Sequence, residues 1–496
     1  MSKAIFNGTL IISAIFIILI SLFTNIIIGV SLLLIIIALL SLLKNANKSV
    51  DGIILVAVFL TPCSNIFVYK TGYIDLRILQ FIWLALFMFI AIQKAVTKDN
   101  SFYKRTNIND SVIFTIYLIG LIFSCLFSIN MAISLKELFQ YVYLFFIMYV
   151  LFTKAKNEAF FNKIINVLII SNIILVCACL ISYFTGKLLI PSFYMYSNGT
   201  IEVLDTVYVT QELLESSNVI SRISGVMGLD TIAIANCILI HSLIINYKIR
   251  QASGKIKFLF MILFIANAAT IVITYSRAAL IIFFVINYIT LMGKEHKKNF
   301  MLIILAVCSV PFILSMFPTI YERVLEAFNL KEGSTKYHFV YWIVALREGY
   351  DNILTGIGLG NGAYVQDMYV SLFSSLFSYF NLYKADAANI HNFILQIWAE
   401  QGLIGLFSSM IFIFYPIIHY IRIKFVQRII NGKTIFDFII LAYISTLLFN
   451  LTNNNFYIET FWVMAALVYA CKFKYAAKPI KLPIGYLAIS APKEAK

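Results

Sequence analysis

Three positively charged or titratable residues stand where long apolar runs of the sequence begin or end. Arg222 opens one run, Arg277 lies in the short hairpin between two runs, and His391 opens another. A guanidinium presents a planar fork of N–H donors that matches phosphate oxygens, and an imidazole changes its protonation near neutral pH. The three positions therefore indicate a site, at one membrane depth, that can bind phosphate groups.

Each of these residues also has an ordinary structural explanation. An arginine at the end of an apolar run is typical of a side chain that snorkels to lipid headgroups, and a histidine there can pack or face the headgroups. Arg277 fits snorkelling less well, because its hairpin has almost no loop and holds the side chain beside Ser276. Arg277 is therefore the strongest phosphate-binding candidate.

Three polar residues follow His391 on the same apolar run. Asn392, Gln396 and Glu400 are spaced four residues apart, which places them on one stripe of a helix. A carboxylate inside a membrane is costly, so Glu400 should face the bundle interior with a partner. We therefore expect a structural or channel-lining role for Glu400 rather than a catalytic one.

Composition indicates which elements must position these side chains. The chain has 496 residues, of which 61% are apolar and 12% are charged. Soluble domains have about 45–50% apolar and about 25% charged residues, so a soluble protein is excluded. We predict an all-α polytopic membrane protein with about 14 transmembrane helices, because about 14 runs are long enough to cross a bilayer. The runs lie near residues 4–23, 26–43, 52–69, 76–95, 111–130, 138–153, 164–184, 223–247, 258–275, 278–293, 300–316, 393–419, 435–452 and 460–477.

Basic residues determine the orientation of these spans, because Lys and Arg resist translocation. With both termini in the cytoplasm, most of the 38 Lys and Arg residues fall in cytoplasmic connections. This placement explains the net charge of +15 without a nucleic-acid partner. We expect one domain over residues 1–496, with an outer loop at 185–222 and a large extracytoplasmic loop at 317–392 that carries short helices.

Motifs for nucleotides and metals are incomplete or absent in the sequence. The glycine-rich run 356–362 has Asn361 where a dinucleotide fingerprint requires glycine, so it is more typical of a tight turn that approaches another group closely. The sequence contains no Walker A motif, no His-x-x-x-His pair, no Asp-x-Asp motif and no Cys-x-x-Cys pair. Any chemistry is therefore expected to need neither a metal nor a cofactor.

Several segments of the sequence occur in an order that is characteristic of one superfamily. They are 222–225, 275–280, 342–346, 356–360, and 391–396 running into 400–406. In these segments the chain resembles the O-antigen ligases and O-antigen polymerases, over a core at residues 222–410. Members often carry an arginine a few residues before the tryptophan at Trp342, whereas this sequence has Lys336 and His338 there.

The resemblance implies an inverting membrane glycosyltransferase that uses undecaprenyl-diphosphate-linked glycans at the periplasmic face of the inner membrane. Negative charge then develops on the departing diphosphate, and Arg222 and Arg277 would stabilise it. His391 would accept the proton of the acceptor hydroxyl or orient the diphosphate. These three are the predicted catalytic residues. Predicted substrate contacts are Ser276, Lys336, His338, Arg347, Asn392 and Gln396.

Two activities of the superfamily stay open at this point. A polymerase of O-antigen, or of another surface polysaccharide, transfers the growing chain onto a new lipid-linked repeat unit, whereas a ligase transfers the finished chain onto lipid A-core. The high span count and the length of 496 residues favour the polymerase. A lipid-linked oligosaccharide flippase is the alternative from another class, but it should carry charges near the bilayer midplane. The expected partners are the lipid-linked glycan and membrane lipid, with a chain-length regulator left open.

Overall fold

The computed structural model describes residues 46–63, 65–70, 75–97, 108–196, 201–206, 223–291, 333–379, 390–426, 434–454 and 456–476. The predicted spans 4–23, 26–43 and 300–316 lie outside these residues, and so does Arg222. Some side chains within helices, including that of Lys336, are also outside the described set.

Most of the described residues are helical. The helices are α1 (Ala46–Phe59), α2 (Ile78–Thr97), α3 (Ile108–Leu126), α4 (Met131–Ala155), α5 (Glu158–Thr185), α6 (Thr231–Gln251), α7 (Gly254–Ile273), α8 (Arg277–Leu291), α9 (Gly333–Asp351), α10 (Gly362–Leu372), α11 (Ser374–Tyr379), α12 (Phe393–Val426), α13 (Ile435–Asn450) and α14 (Glu459–Ala476). Among the described residues, α3 to α7 and α12 are the six helices that are long and apolar enough to cross a membrane. Shorter apolar helices occur within α1, α8, α13 and α14. These helices agree with a polytopic membrane protein, whereas the count of 14 spans stays a prediction.

Local sequence signals set several of the helix ends. Asn130 begins α4 by accepting the backbone N–H groups of residues 132 and 133 on its side chain, and Asn157 begins α5 in the same way. Gly186 ends α5 in a left-handed conformation that glycine adopts without strain. Within the predicted loop 317–392, the structure describes α9, α10 and α11, in agreement with short helices.

Four short strands correct the expectation of an all-α chain. They are β1 (Phe67–Lys70), β2 (Asp75–Arg77), β3 (Lys187–Tyr196) and β4 (Ile201–Thr206), in the order β2-β1-β3-β4. β1 is parallel to β3, whereas the pairs β1–β2 and β3–β4 are antiparallel. The sheet joins the segment after α1 to the segment after α5. We call this end of the helical bundle the sheet end.

The strands have local causes that hydropathy alone does not reveal. The predicted span 52–69 is too long, because α1 ends at Phe59 and Pro62 follows in a short 3-10 turn. Proline lacks the N–H that a continuing helix needs. In the predicted outer loop 185–222, β3 contains Pro191 and the aromatic residues Phe193 and Tyr194. Aromatic residues of this kind favour strands.

An aromatic cluster fixes α12 against α3 and α14 in the core. The rings of Tyr117 and Phe412 stack with 4.4 Å between their centroids. Tyr469 stacks on Phe412 at 5.6 Å and donates a 2.7 Å hydrogen bond to the Phe412 carbonyl. These three side chains are essentially buried. The helix that begins beside His391 is therefore anchored in a rigid core.

α12 is broken at Gly402, and a glycine-containing segment that lies far away in the sequence packs against this break. Gly402 has φ 59° and ψ −160°, a conformation that only glycine adopts readily. Residues 353–358 pair with both sides of the break through backbone hydrogen bonds: Ile357 N–H to Ala399 (2.9 Å), Gly358 N–H to Glu400 (2.9 Å), Leu403 N–H to Ile353 (2.7 Å) and Ile404 N–H to Leu354 (3.1 Å). The turn therefore satisfies backbone groups that a break inside a membrane would leave without partners.

Replacing Gly402 by alanine is expected to lower the free energy of unfolding by about 1–3 kcal/mol through backbone strain alone. A Cβ at this position would also lie 2.5 Å from the carbonyl carbon of Leu354, and one at Gly356 would lie 2.3 Å from that of Glu400. The thermal midpoint of the detergent-purified protein measures the effect. Gly52→Ala in α1 is the matched control, because no atom lies within 4 Å of its Cβ position. Equal midpoints for the two variants would contradict this role of the break.

Candidate functional site

His391 lies at the N-terminal end of α12, where α9 packs against it. Its ring contacts the ring of His338 on α9, with 4.7 Å between the centroids and 66° between the planes. One turn further along α9, Nε1 of Trp342 donates a 3.1 Å hydrogen bond to the carbonyl of Ile390. α9 therefore contacts both the ring of His391 and the backbone that precedes it.

Arg277 is the first residue of α8 and lies near His338. Burial, together with the nearby His391 and Arg277, lowers the pKa of His338 to about 4. His338 is therefore a neutral ring at pH 7. The structure thus brings together three of the predicted site residues, Arg277, His338 and His391.

The state of His391 suits proton transfer. Burial lowers the pKa of His391 below its ordinary value, so its imidazole is neutral at pH 7. Its Nδ1 is buried and has no hydrogen-bond partner among the described residues. A neutral imidazole has one unprotonated ring nitrogen and can therefore act as a general base.

His391 and Tyr275, which lies close to Arg277 in the sequence, have unusual backbone conformations. Met227, Tyr275 and His391 are the non-glycine residues with clearly positive φ in the described part of the chain, at 54°, 50° and 50°. Residues other than glycine seldom adopt this conformation, and those that do so cluster at functional sites. Tyr275 stands two residues before Arg277, and its hydroxyl lies 3.5 Å from the hydroxyl of Tyr183. The sequence carried no signal for this strain.

Ser276 and Asn392 are both predicted substrate contacts. Ser276 caps α8, which begins with Arg277, and Asn392 caps α12, which follows His391. The Ser276 hydroxyl accepts the N–H of Ala279 at 3.4 Å. The Asn392 side-chain oxygen accepts the N–H groups of Ile394 and Leu395 at 3.0 and 3.1 Å. These bonds fix the first turns of α8 and α12. A substrate contact by either residue stays a prediction.

Gln396 and Glu400 lie in a buried polar network inside the bundle. Gln396 Nε2 donates to Glu400 Oε1 at 2.8 Å and to the Tyr457 hydroxyl at 2.9 Å. Asn454 donates to the Gln396 side-chain oxygen. Glu400 is only 4% exposed, so the prediction that it faces the interior with a partner is confirmed. The Gln396 amide is committed to this network, and its predicted contact with substrate stays untested.

The glycine-rich turn closes over the Glu400 carboxylate. The Gly360 N–H lies beside that carboxylate, and a Cβ on Gly360 would meet the Glu137 side chain at 2.3 Å. The prediction that the run 356–362 approaches another group closely is confirmed. The group it approaches belongs to the protein itself.

The remaining predicted contacts lie apart from the histidine pair or outside the described set. Arg347 is exposed, and its Nε lies 2.9 Å from Oδ1 of Asp351. It follows His338 by nine residues, which places it on about the opposite face of α9 at about 100° per residue. The backbone of Lys336 lies on α9, two residues before His338.

These positions can be compared with known proteins. Residues 260–410 match the O-antigen ligase family. The match covers just under a third of the chain and includes Arg277, α9 and the first half of α12. It confirms the resemblance to the O-antigen ligase and polymerase superfamily, whose members are membrane glycosyltransferase-like enzymes that act on lipid-linked glycans. A comparison with curated proteins found no match.

The matched region contains both histidines and Arg277, whereas Arg222 precedes it. Sequence reasoning identified these residues singly and missed two relationships. It did not foresee that His338 contacts His391, or that the glycine-rich turn pairs with the break at Gly402. Both are contacts between segments about 50 residues apart, for which the sequence alone offers no distance information.

A buried acid in the matched region predicts a pH-dependent stability. Glu348 on α9 is 3% exposed. Burial, reinforced by the nearby Glu400, raises its pKa to about 8. Because the folded-state pKa lies above the unfolded-state value of about 4.3, the stabilising effect of the protonated form is complete below that value and is lost as pH rises towards 8. The loss is at most about 1.4 kcal/mol per pH unit.

Glu348→Gln is therefore expected to reduce the fall in thermal midpoint between pH 6 and pH 8.5. Glutamine keeps the neutral, hydrogen-bonding form at every pH. Glu158→Gln, at an exposed position in the first turn of α5, is the control and should leave the fall unchanged. An identical pH dependence in Glu348→Gln and the unaltered protein would contradict the assignment.

Proposed function

We propose that this chain is a repeat-unit polymerase of O-antigen or of another surface polysaccharide. It is a metal-independent inverting glycosyltransferase that acts on undecaprenyl-diphosphate-linked glycans at the periplasmic face of the inner membrane. The observation that carries the proposal is that Arg277 and the neutral His391 both lie beside His338, within the region 260–410 that matches the O-antigen ligase family. This grouping offers a fixed cation and a general base at one end of the bundle.

The chemistry is a single displacement at the anomeric carbon of the donor sugar. The acceptor hydroxyl attacks that carbon, a new glycosidic C–O bond forms, and the C–O bond to the diphosphate breaks. His391 takes the hydroxyl proton, and the lipid diphosphate leaves with its negative charge. Arg277 stabilises that charge, and Arg222 is proposed to do the same from the segment before α6. The configuration at the anomeric carbon inverts.

Charge distribution supports the proposed orientation. The turn between α4 and α5 and the turn between α6 and α7 lie at the end of the bundle away from the sheet. Basic residues gather there: Lys154, Lys156, Lys248, Arg250, Lys255 and Lys257. Under the positive-inside rule this end is cytoplasmic, so the site at the sheet end is periplasmic. Both termini are then cytoplasmic.

An O-antigen ligase is the second candidate, and the description of the matched family favours it. A ligase would use the same arginine and histidine but would transfer the glycan to lipid A-core. The length of 496 residues and the predicted count of about 14 spans favour the polymerase. A flippase, the third candidate, needs no base beside the cation.

Glycan profiling of cells that carry Arg277→Ala separates these candidates, with membrane levels of the variant checked alongside. The polymerase predicts that only single repeat units reach lipid A-core. Long glycans stranded on undecaprenyl diphosphate would instead indicate the ligase. Unchanged glycans at normal protein levels would contradict a catalytic site at Arg277.

A further inference from the structure

We infer that His338 is a positioning residue, which holds the ring of His391 in its reactive orientation by an edge-to-face contact. The inference rests on the proposed function, because it assigns a task to His338 within that transfer reaction. The sequence predicts a direct substrate contact for His338. Under the inference, His338 neither contacts the substrate nor serves as a second cation, and its ring acts through the ring of His391.

The contact itself is one of ring against ring. The centroids of His338 and His391 are 4.7 Å apart with the planes at 66°, which is a favourable edge-to-face arrangement for aromatic rings. Nδ1 of each ring is buried without a hydrogen-bond partner among the described residues. No described hydrogen bond joins the two rings, so packing rather than a proton bridge sets their relative orientation.

His391 needs such support because its backbone is strained. Its φ of 50° is uncommon for a residue other than glycine, and such conformations persist only where their surroundings hold them. The neighbouring carbonyl of Ile390 is held by Trp342, as described above. His338 lies one turn before Trp342 on α9, so a single helix restrains the backbone before His391 and its ring together.

α9 is firmly attached to α12, which makes it a suitable support. Trp398 of α12 donates from Nε1 to the Leu346 carbonyl of α9 at 3.2 Å. Gly349 of α9 packs so closely on the Trp398 ring that a Cβ there would lie 2.1 Å from Nε1. The position of His338 relative to His391 is therefore set by helix packing on both sides.

His338 does not supply the missing family arginine. It is a neutral ring at pH 7, because burial and the nearby His391 and Arg277 lower its pKa. A neutral ring contributes shape rather than charge. Loss of the ring should therefore affect turnover, through the orientation of His391, more than it affects binding of the anionic substrate.

Two variants separate shape from hydrogen bonding. His338→Phe keeps an aromatic ring without nitrogens, and His338→Gln keeps an amide without a ring. Transfer kinetics are measured with purified protein in nanodiscs and an undecaprenyl-diphosphate-linked repeat unit, and the thermal midpoint is recorded for each variant. We expect His338→Phe to retain kcat within about threefold, and His338→Gln to lower kcat by about 10–100-fold with KM nearly unchanged.

The reverse pattern, with glutamine active and phenylalanine inactive, would overturn the inference. So would a raised KM with unchanged kcat in both variants, because either result means that a His338 nitrogen contacts the substrate. Equal loss of kcat in both variants would also overturn it. His391→Ala in the same assay keeps the two proposals distinguishable: full activity of that variant contradicts the proposed function, whereas the comparison between the two His338 variants addresses only the inference.

Discussion

Arg277→Ala is expected to lower the rate of glycan transfer by about 10²–10³-fold, the usual effect of removing one preorganised donor to a developing negative charge. The reason is geometric as well as electrostatic. Arg277 begins α8 at a helix cap made by Ser276, so its guanidinium is directed by a fixed backbone. Arg277→Lys keeps the charge but loses the planar fork, and we expect it to recover only part of the rate.

The matched control for Arg277 is Arg422→Ala, at an exposed position near the other end of α12. Both variants remove one arginine from the edge of the helical bundle. The measurement is kcat/KM for repeat-unit transfer, normalised to the amount of folded protein in the membrane. Equal rates for the two variants would show that the departure of the lipid diphosphate does not depend on Arg277.

His391→Ala is expected to lower kcat by about 10²–10⁴-fold, the usual contribution of a general base. The pH profile provides the second half of this prediction. The base is active when neutral, so activity falls as pH decreases through the pKa of His391. Burial lowers that pKa, so the acidic limb of kcat/KM should lie below about pH 6.5, the ordinary value for histidine.

In the described structure the ring of His338 on α9 contacts that of His391, and Arg277 at the start of α8 lies near His338. Neither is negatively charged, so neither raises the pKa of His391. His419→Gln, on the same helix but far from the site, should leave the rate and the profile unchanged. An acidic limb above pH 7, or a profile unaltered by His391→Ala, would contradict the assignment of the base.

Much of the fold followed from patterns that are local in sequence. Long apolar runs predicted most of the described helices, because lipid requires about 20 consecutive apolar residues per helical span. The stripe that contains Gln396 and Glu400 predicted a buried carboxylate, since the cost of exposing it to lipid outweighs other local preferences. The structure confirms that carboxylate at 4% exposure.

The remainder depends on contacts that no local pattern encodes. The strand β1 lies inside an apolar run, and hydropathy does not distinguish a short strand from the end of a helix. The pairing of residues 353–358 with the break at Gly402 is a close approach of two distant backbones. The contact between His338 and His391 likewise results from the packing of α9 on α12, and it changes the role assigned to His338.

The most direct test of the account is a transfer assay with purified protein in nanodiscs, an undecaprenyl-diphosphate-linked repeat unit as the sole glycan, and a chelator of divalent metals. The polymerase account predicts a ladder of products with two or more repeats and the release of one undecaprenyl diphosphate for each new linkage. The ladder should disappear in Arg277→Ala. Repeat units that stay single until lipid A-core is added would contradict it.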